Sequence, residues 1–255
     1  MEYHINPEYH HLAEFVNSVP DHNYTVEHIY CNHRNTVEKV TYDGKCYVVK
    51  KFKRPTWANQ VIYTFFRKNK ARRAFDYALR LREESVETAS PVAYIIQNKY
   101  GLFHTAWFIS EYLPYETLKS KVRHTEDVAE KERIVEAFIR FTAQLHCKGI
   151  RHKDYNPANL LVHTVDGEYR VALIDINQMQ FGSVPGTRKS VISFIQSGLD
   201  MKYVIRMVNR YSDIRGISSM LCRLSCYRYK LISSIRRTLK IPLKMTLATL
   251  RSING

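Results

Sequence analysis

The stretch His152-Lys153-Asp154-Tyr155-Asn156-Pro157-Ala158-Asn159 decides how the sequence is read, together with the two runs that follow it, Leu160-Leu161-Val162-His163 and Tyr169-Arg170-Val171-Ala172-Leu173-Ile174, and Asp175 after them. The two β-rich runs flank Thr164-Val165-Asp166-Gly167-Glu168, so an antiparallel hairpin is predicted. In such a hairpin the start of the first strand lies beside the end of the second, which makes Asn159 and Asp175 neighbours at its open end. An amide oxygen beside a carboxylate supplies the hard oxygen ligands that Mg²⁺ prefers when phosphates complete its shell. Asp154, five residues upstream in the connecting loop, is expected at the same end. A carboxylate there can orient and deprotonate an attacking hydroxyl, so the pattern suits phosphoryl transfer.

Upstream of this stretch, residues 126–148 predict a long amphipathic helix with Ile134, Val135, Phe138, Phe141 and Leu145 on one stripe. Thr125 is its expected N-cap, Glu126 and Asp127 sit favourably in its first turn, and Gly149 falls where a left-handed residue ends a helix. Further upstream, Asp43-Gly44 between β-rich runs over residues 36–52 predicts another hairpin. Residues 69–84 have helical composition, with Ala74, Tyr77, Ala78 and Leu81 at helical spacing. Two further strands are expected at Pro91-Val92-Ala93-Tyr94-Ile95-Ile96 and Trp107-Phe108-Ile109-Ser110-Glu111-Tyr112-Leu113, separated by a turn near Tyr100-Gly101. The predicted fold class is α+β. A small β-rich N-terminal lobe with one main helix (residues 1–113) precedes a mostly helical C-terminal lobe (residues 114–255) in a single domain.

Composition bounds the class. A chain of 255 residues, 45% hydrophobic, can bury a sizeable core. Its formal net charge of +15 implies an anionic partner, whether a phosphorylated substrate, a membrane surface or nucleic acid. The first residues carry early acids and lack the basic start and apolar run of a secretory signal. Lys or Arg interrupts the apolar runs of the C-terminal half, so no stretch approaches the roughly 18 apolar residues of a spanning helix. The five scattered cysteines read as reduced thiols of a cytosolic protein. His28, Cys31 and His33 lack a fourth ligand and read as surface polar residues, and Cys222 and Cys226 as small core or boundary residues, so no structural metal is expected.

The residues 152–159 resemble the His-Arg-Asp-x-x-x-x-Asn catalytic loop of protein-kinase-like enzymes, and Asp175-Ile176-Asn177 stands where their Asp-Phe-Gly would be. That resemblance implies a two-lobed protein-kinase-like fold, with Asp154 as base and Asn159 and Asp175 as Mg²⁺ ligands. Tyr47-Val48-Val49-Lys50 is similar to the strand whose lysine grips the α- and β-phosphates of ATP, which implies that role for Lys50. Its acidic partner on the next helix would be Asp76, or else Glu83 or Glu84, and Glu111 joins the expected nucleotide contacts. His152 would brace the loop, and His146 reads as a core or boundary histidine.

More narrowly, Leu145-His146-Cys147-Lys148-Gly149-Ile150-Arg151-His152-Lys153-Asp154 with Leu173-Ile174-Asp175-Ile176-Asn177 resembles the bacterial lipopolysaccharide kinases, the Kdo and heptose kinases, over roughly residues 39–181. The resemblance implies transfer of phosphate from ATP to a sugar hydroxyl of an anionic glycolipid at the cytoplasmic face of the inner membrane. Three departures set the chain apart from ordinary protein kinases: no glycine-rich loop precedes Val48, where Cys31-Asn32-His33-Arg34-Asn35-Thr36 stands; Asn156 replaces a lysine; and no Ala-Pro-Glu segment follows Asp175. The alternatives are a small atypical kinase of the RIO type or of the tRNA-modification machinery, and a pseudokinase or basic nucleic-acid-binding scaffold. Retention of Lys50, Asp154, Asn159 and Asp175 weighs against the scaffold, and nucleic acid is the less favoured partner.

The last 55 residues hold twelve Lys or Arg against one acid, Asp213. Ile217, Leu221, Leu224, Leu231, Ile235 and Leu239 recur at helical spacing. This apolar side is expected to complete the C-terminal lobe, with membrane insertion as the less favoured reading and a basic face available to anionic lipid.

Overall fold

The computed structural model describes residues 1–32, 35–195 and 200–253, with side chains described through Ile235 and at Thr238. His33 and Arg34, in the region where a glycine-rich loop would stand, and the side chain of Leu239 lie outside the described residues. The chain divides into two units, Met1–Ile134 with His152–Gln180, and Val135–Arg151 with Phe181–Gly255.

The first unit begins with β1 (Glu2–Ile5), α1 (Ala13–Ser18), β2 (Thr25–Asn32), β3 (Asn35–Tyr42) and β4 (Lys45–Phe52). It continues through α2 (Trp57–Phe65), α3 (Lys70–Glu83), β5 (Pro91–Lys99) and β6 (Leu102–Glu111). The five β-strands from β1 to β5 join β6 in one six-stranded sheet ordered β1-β5-β6-β4-β3-β2. Two of its turns follow from residue chemistry: Asp43-Gly44 and Tyr100-Gly101 both adopt positive φ at each position, the backbone that matches the strand twist of a tight hairpin. Phe15, Val16, Tyr47, Val49, Ile95 and Ile109 fill one core of this sheet, and Phe52, Ala71, Phe75, Ile96 and Phe103 another. Each such large side chain contributes about 1.5–3 kcal/mol on full burial.

α3 forms where its composition predicts. The Asn69 side chain accepts from the Arg72 N–H at 3.0 Å as N-cap, and Ala71, Ala74, Phe75, Ala78 and Leu81 are buried. α2, by contrast, is a helix that the sequence reading does not anticipate, and it buries Gln60 rather than its apolar residues.

After β6 come β7 (Glu116–Thr117), α4 (Leu118–His124), α5 (Val128–Cys147), β8 (Arg151–His152), β9 (Leu160–Val165), β10 (Glu168–Leu173) and β11 (Met179–Gln180). β7, β9 and β10 form a second sheet, ordered β10-β9-β7. Asp166 and Gly167 make its two-residue turn with φ of 50° and 77°. The unit boundary falls inside α5. Thr125 belongs to the end of α4, where its hydroxyl donates to the Lys121 carbonyl. The first turn of α5 is capped by Asp127, whose carboxylate accepts from the N–H groups of Ala129 and Glu130 at 3.1 and 3.2 Å. A carboxylate outperforms a hydroxyl there because it satisfies two orphan donors and opposes the helix dipole.

The second unit holds the rest of α5 with α6 (Thr187–Ile195), α7 (Met201–Arg215) and α8 (Ser219–Ile253). Phe138, Phe194 and Tyr211 pack edge to face in its core, with ring centroids 5.0 to 5.6 Å apart. Gly149 takes φ +69° after α5, and a side chain there would meet the Ser183 backbone at 3.2 Å. α8 corrects the expectation for the basic tail. Among its described side chains the buried ones are Cys222 and Cys226, whereas Leu221, Leu224, Leu231 and Ile235 are exposed. Among the described residues, no helix is long and apolar enough to cross a membrane.

Candidate active site

Lys50, Asp154, Asn159 and Asp175 all belong to the first unit. The hairpin sets two of them. Leu160 pairs with Leu173 as the last register step of β9 and β10, and beyond it the Ile174 N–H donates to the Asn159 carbonyl at 3.0 Å. Asn159 and Asp175 are thereby adjacent at the open end. The β10 end is anchored from α3's side: the Leu173 N–H donates to the Glu87 carbonyl at 2.9 Å, and the Thr88 hydroxyl donates to the Leu173 carbonyl at 2.7 Å.

The loop between β8 and β9 is tied by its own polar groups. The Asp154 carbonyl accepts from the Asn156 N–H at 2.9 Å and from Asn159 Nδ2 at 3.1 Å. The Asn156 side chain caps the single turn Pro157–Asn159 by accepting from the Ala158 N–H at 3.0 Å. With Nδ2 of Asn159 engaged, its Oδ1 is the atom left to act as a ligand. The Asp154 side chain is exposed.

His152 joins this loop to Asp175. Its Nδ1 accepts from the Asp154 N–H at 3.1 Å, and its Nε2 donates to the Asp175 carbonyl at 3.2 Å. That pair of bonds requires a neutral ring with its proton on Nε2. Burial holds the ring in that state by pushing its pKa below the usual value, against the raising effect of Asp175.

Asp175 itself sits in the left-handed region, φ 54° and ψ 42°. A non-glycine residue there carries a small strain that the surrounding bonds must hold. Those bonds include the one from His152 to its carbonyl and two to its Oδ1, from Asn177 Nδ2 and from Lys50 Nζ. Lys50 reaches it from β4, where it lies opposite Val37 and Phe108 in the sheet, and its own side chain is largely buried.

This geometry differs from one expectation. Asp76 is not the acid on Lys50: its Oδ2 accepts from Lys68 Nζ at 2.6 Å, and the carboxylate on Lys50 is Asp175. The shorter Asp side chain stays with a lysine eight residues before it. Glu111 ends β6, its N–H donating to the Ser90 carbonyl at 2.9 Å, and its carboxylate lies against the Tyr9 hydroxyl, which burial above all pushes up to about 12. Asn177 is the residue that the sequence reading missed. It is buried and donates to Asp175, and the available signal was an amide at the place where the resembling enzymes carry glycine. His146 lies in the second unit, fully buried, with Nδ1 2.8 Å from the Tyr211 hydroxyl.

Chemically, the four residues bring together a cation, two carboxylates and an amide oxygen around one end of a hairpin. Among the described residues, no group of three or more His, Cys, Asp or Glu side chains is placed to hold a metal. Any ion here would rest on Asp175 and an amide oxygen with ligands from outside the chain, which is how Mg²⁺ is held by nucleotide enzymes.

Comparison with known proteins gives this arrangement its context. The lipopolysaccharide kinase (Kdo/WaaP) family matches residues 27–192. Among solved structures, WaaP in complex with acyl carrier protein is similar at a TM-score of 0.60 and 18% identity, over 90% of this chain and 98% of that one. A Ralstonia eutropha protein described as a candidate aminoglycoside phosphotransferase is similar at a TM-score of 0.53 and 14% identity, over 80% and 79%. A search of curated protein sequences found no match. These likenesses establish an α+β, protein-kinase-like fold, and the extent of the family match decides the rest. The chain belongs to the lipopolysaccharide kinase (Kdo/WaaP) family and is a kinase.

Proposed function

We propose that this kinase transfers phosphate from ATP to a sugar hydroxyl of a lipopolysaccharide-type glycolipid, with Asp154 as the base. ATP as donor follows from the family. The observation that carries the residue assignment is the tie between loop and hairpin end: Asp154, Asn159 and Asp175 are held to one another through His152 and the Asp154 carbonyl. In this reading the exposed Asp154 carboxylate accepts the proton of the attacking hydroxyl, a contribution of about 10²–10⁴-fold in rate. Asn159 Oδ1 and Asp175 would hold Mg²⁺, which when bound would neutralise charge on the phosphates. Lys50 grips the α- and β-phosphates while its ion pair with Asp175 orients both groups, and Glu111, at the end of β6, would contribute a nucleotide contact. Asp76 is left out of the site because Lys68 holds it.

A net charge of +15 suits an acceptor that carries negative charge, and a glycolipid acceptor of this kind would put the enzyme's work at the cytoplasmic face of the inner membrane. The test is an acceptor screen with labelled ATP, using deep-rough glycolipid, free sugar, tRNA and protein. Label is expected on the glycolipid. Label on tRNA or protein alone would replace this reading with that of an atypical kinase.

A further inference from the structure

α2 is built inside out. A helix turns once per 3.6 residues, so Trp57, Ala58, Val61, Ile62, Phe65 and the capping Phe66 fall within about half of its circumference. Gln60, Tyr63 and Thr64 fall on the other half. An ordinary surface helix would bury the first set. Here the second set faces the protein: Gln60 is buried and donates to the Pro55 carbonyl at 3.0 Å, Tyr63 packs edge to face on Phe103, and the Thr64 hydroxyl accepts from the Phe103 N–H at 2.9 Å. The apolar half is left in water, with Trp57 71% exposed, Phe65 67% and Phe66 80%. With Ile62 these side chains expose roughly 400–500 Å² of apolar surface, a size that marks an interaction site.

The charge around the helix selects the partner. Residues 45–75 contain ten Lys or Arg and no acid. Lys53 and Arg54 before the helix, and Arg67, Lys68 and Lys70 after it, are exposed. A short helix with aromatic residues on its outer half and cations at both ends is suited to lie in the plane of an anionic bilayer, rings at the acyl boundary and cations among the headgroups. Phe65 and Phe66 carry no polar atom and would gain little from a soluble acidic partner, whereas the Trp57 indole, apolar with one N–H, suits the boundary between acyl chains and headgroups.

We propose that α2 is the element by which this kinase docks on anionic lipid. This deepens the reading of a membrane-borne acceptor and draws its biological sense from it, but the test reads lipid binding alone and stands apart from phosphate transfer. The intact chain is mixed with vesicles of phosphatidylethanolamine and phosphatidylglycerol, and separately with phosphatidylcholine, and followed by co-sedimentation and tryptophan emission. Trp57 is the exposed tryptophan and Trp107 is buried, so a blue shift on the anionic vesicles reports α2 directly. Phe65→Glu with Phe66→Glu is expected to lower partition about 100-fold or more, from the lost transfer of two rings, with circular dichroism unchanged. Leu224→Asp with Leu231→Asp, on the exposed stripe of α8, is expected to leave partition unchanged. Absence of a shift with anionic vesicles, partition that survives the α2 substitutions, or partition lost only with the α8 pair would overturn the assignment.

Discussion

Two histidines six residues apart, His146 and His152, are both buried and both held neutral by burial, yet they do different work. His152 bonds on one side to the Asp154 N–H and on the other to the Asp175 carbonyl, so its ring is a spacer between the two halves of the proposed reaction centre. His146 meets Tyr211, whose hydroxyl also accepts from Arg215 at 2.6 Å, so its ring braces α5 against α7. Burial and a depressed pKa therefore fail to mark a functional histidine. The partners of the two ring nitrogens do.

The comparison predicts that substitutions around His152 strike transfer and those around His146 strike stability. The largest effect belongs to Asp154→Ala, with a loss of about 10²–10⁴-fold in labelled phosphate transfer while the protein still folds and binds nucleotide. Undiminished transfer would remove Asp154 as base. Asp175→Ala comes next: by calorimetry its affinity for Mg·ATP should fall by roughly 10–100-fold or more, as expected for a lost metal ligand. Equal affinity in both proteins would sink the metal assignment.

His152→Ala should cost about 30-fold in transfer, from two lost positioning bonds at about 1 kcal/mol each. His152→Asn offers a donor and an acceptor and should recover part of that loss in kcat at unchanged KM, a rescue that a purely space-filling ring would not show. His146→Phe should leave transfer per folded molecule intact, and chemical denaturation should show a loss of about 1–3 kcal/mol.

The same residue sets a pH signature. Burial, aided by Arg215 and Arg151, pushes His146 down to about 3, whereas in the unfolded chain a histidine titrates near 6.5. Below about 6.5 the unfolded state binds the proton first, so the stability owed to the neutral ring is present above that pH and is lost as pH falls toward about 3. Burial lowers His152 too, so its contribution is lost in the same direction. His146→Phe should flatten the fall of unfolding free energy over this window.

The adjacency of Asn159 and Asp175 was legible because hairpin geometry is local. Asp-Gly fixes the turn, period two fixes the register, and together they make Asn159 a neighbour of Asp175 from spacing alone. α3 was legible for a similar reason, since alanine-rich composition and an Asn cap act within the helix itself. The partner of Lys50 was not, because an ion pair between residues 125 apart depends on how β4 and the hairpin end are brought together. α2 and the stripe of α8 escaped for the opposite reason. Periodicity says that a helix has an apolar side, and the expectation that such a side is buried is an energetic average that function can override.

By itself, then, the sequence determined the hairpins, the main helices and the adjacency of Asn159 and Asp175, because turn chemistry, capping and hydrophobic period act over a few residues. Only the tertiary structure decided that Lys50 meets Asp175, that Asn177 and His152 hold Asp175 in a left-handed turn, and that α2 turns Trp57 and Phe65 outward. Those outcomes depend on which distant segments compete for the same partner, and no local pattern encodes that competition.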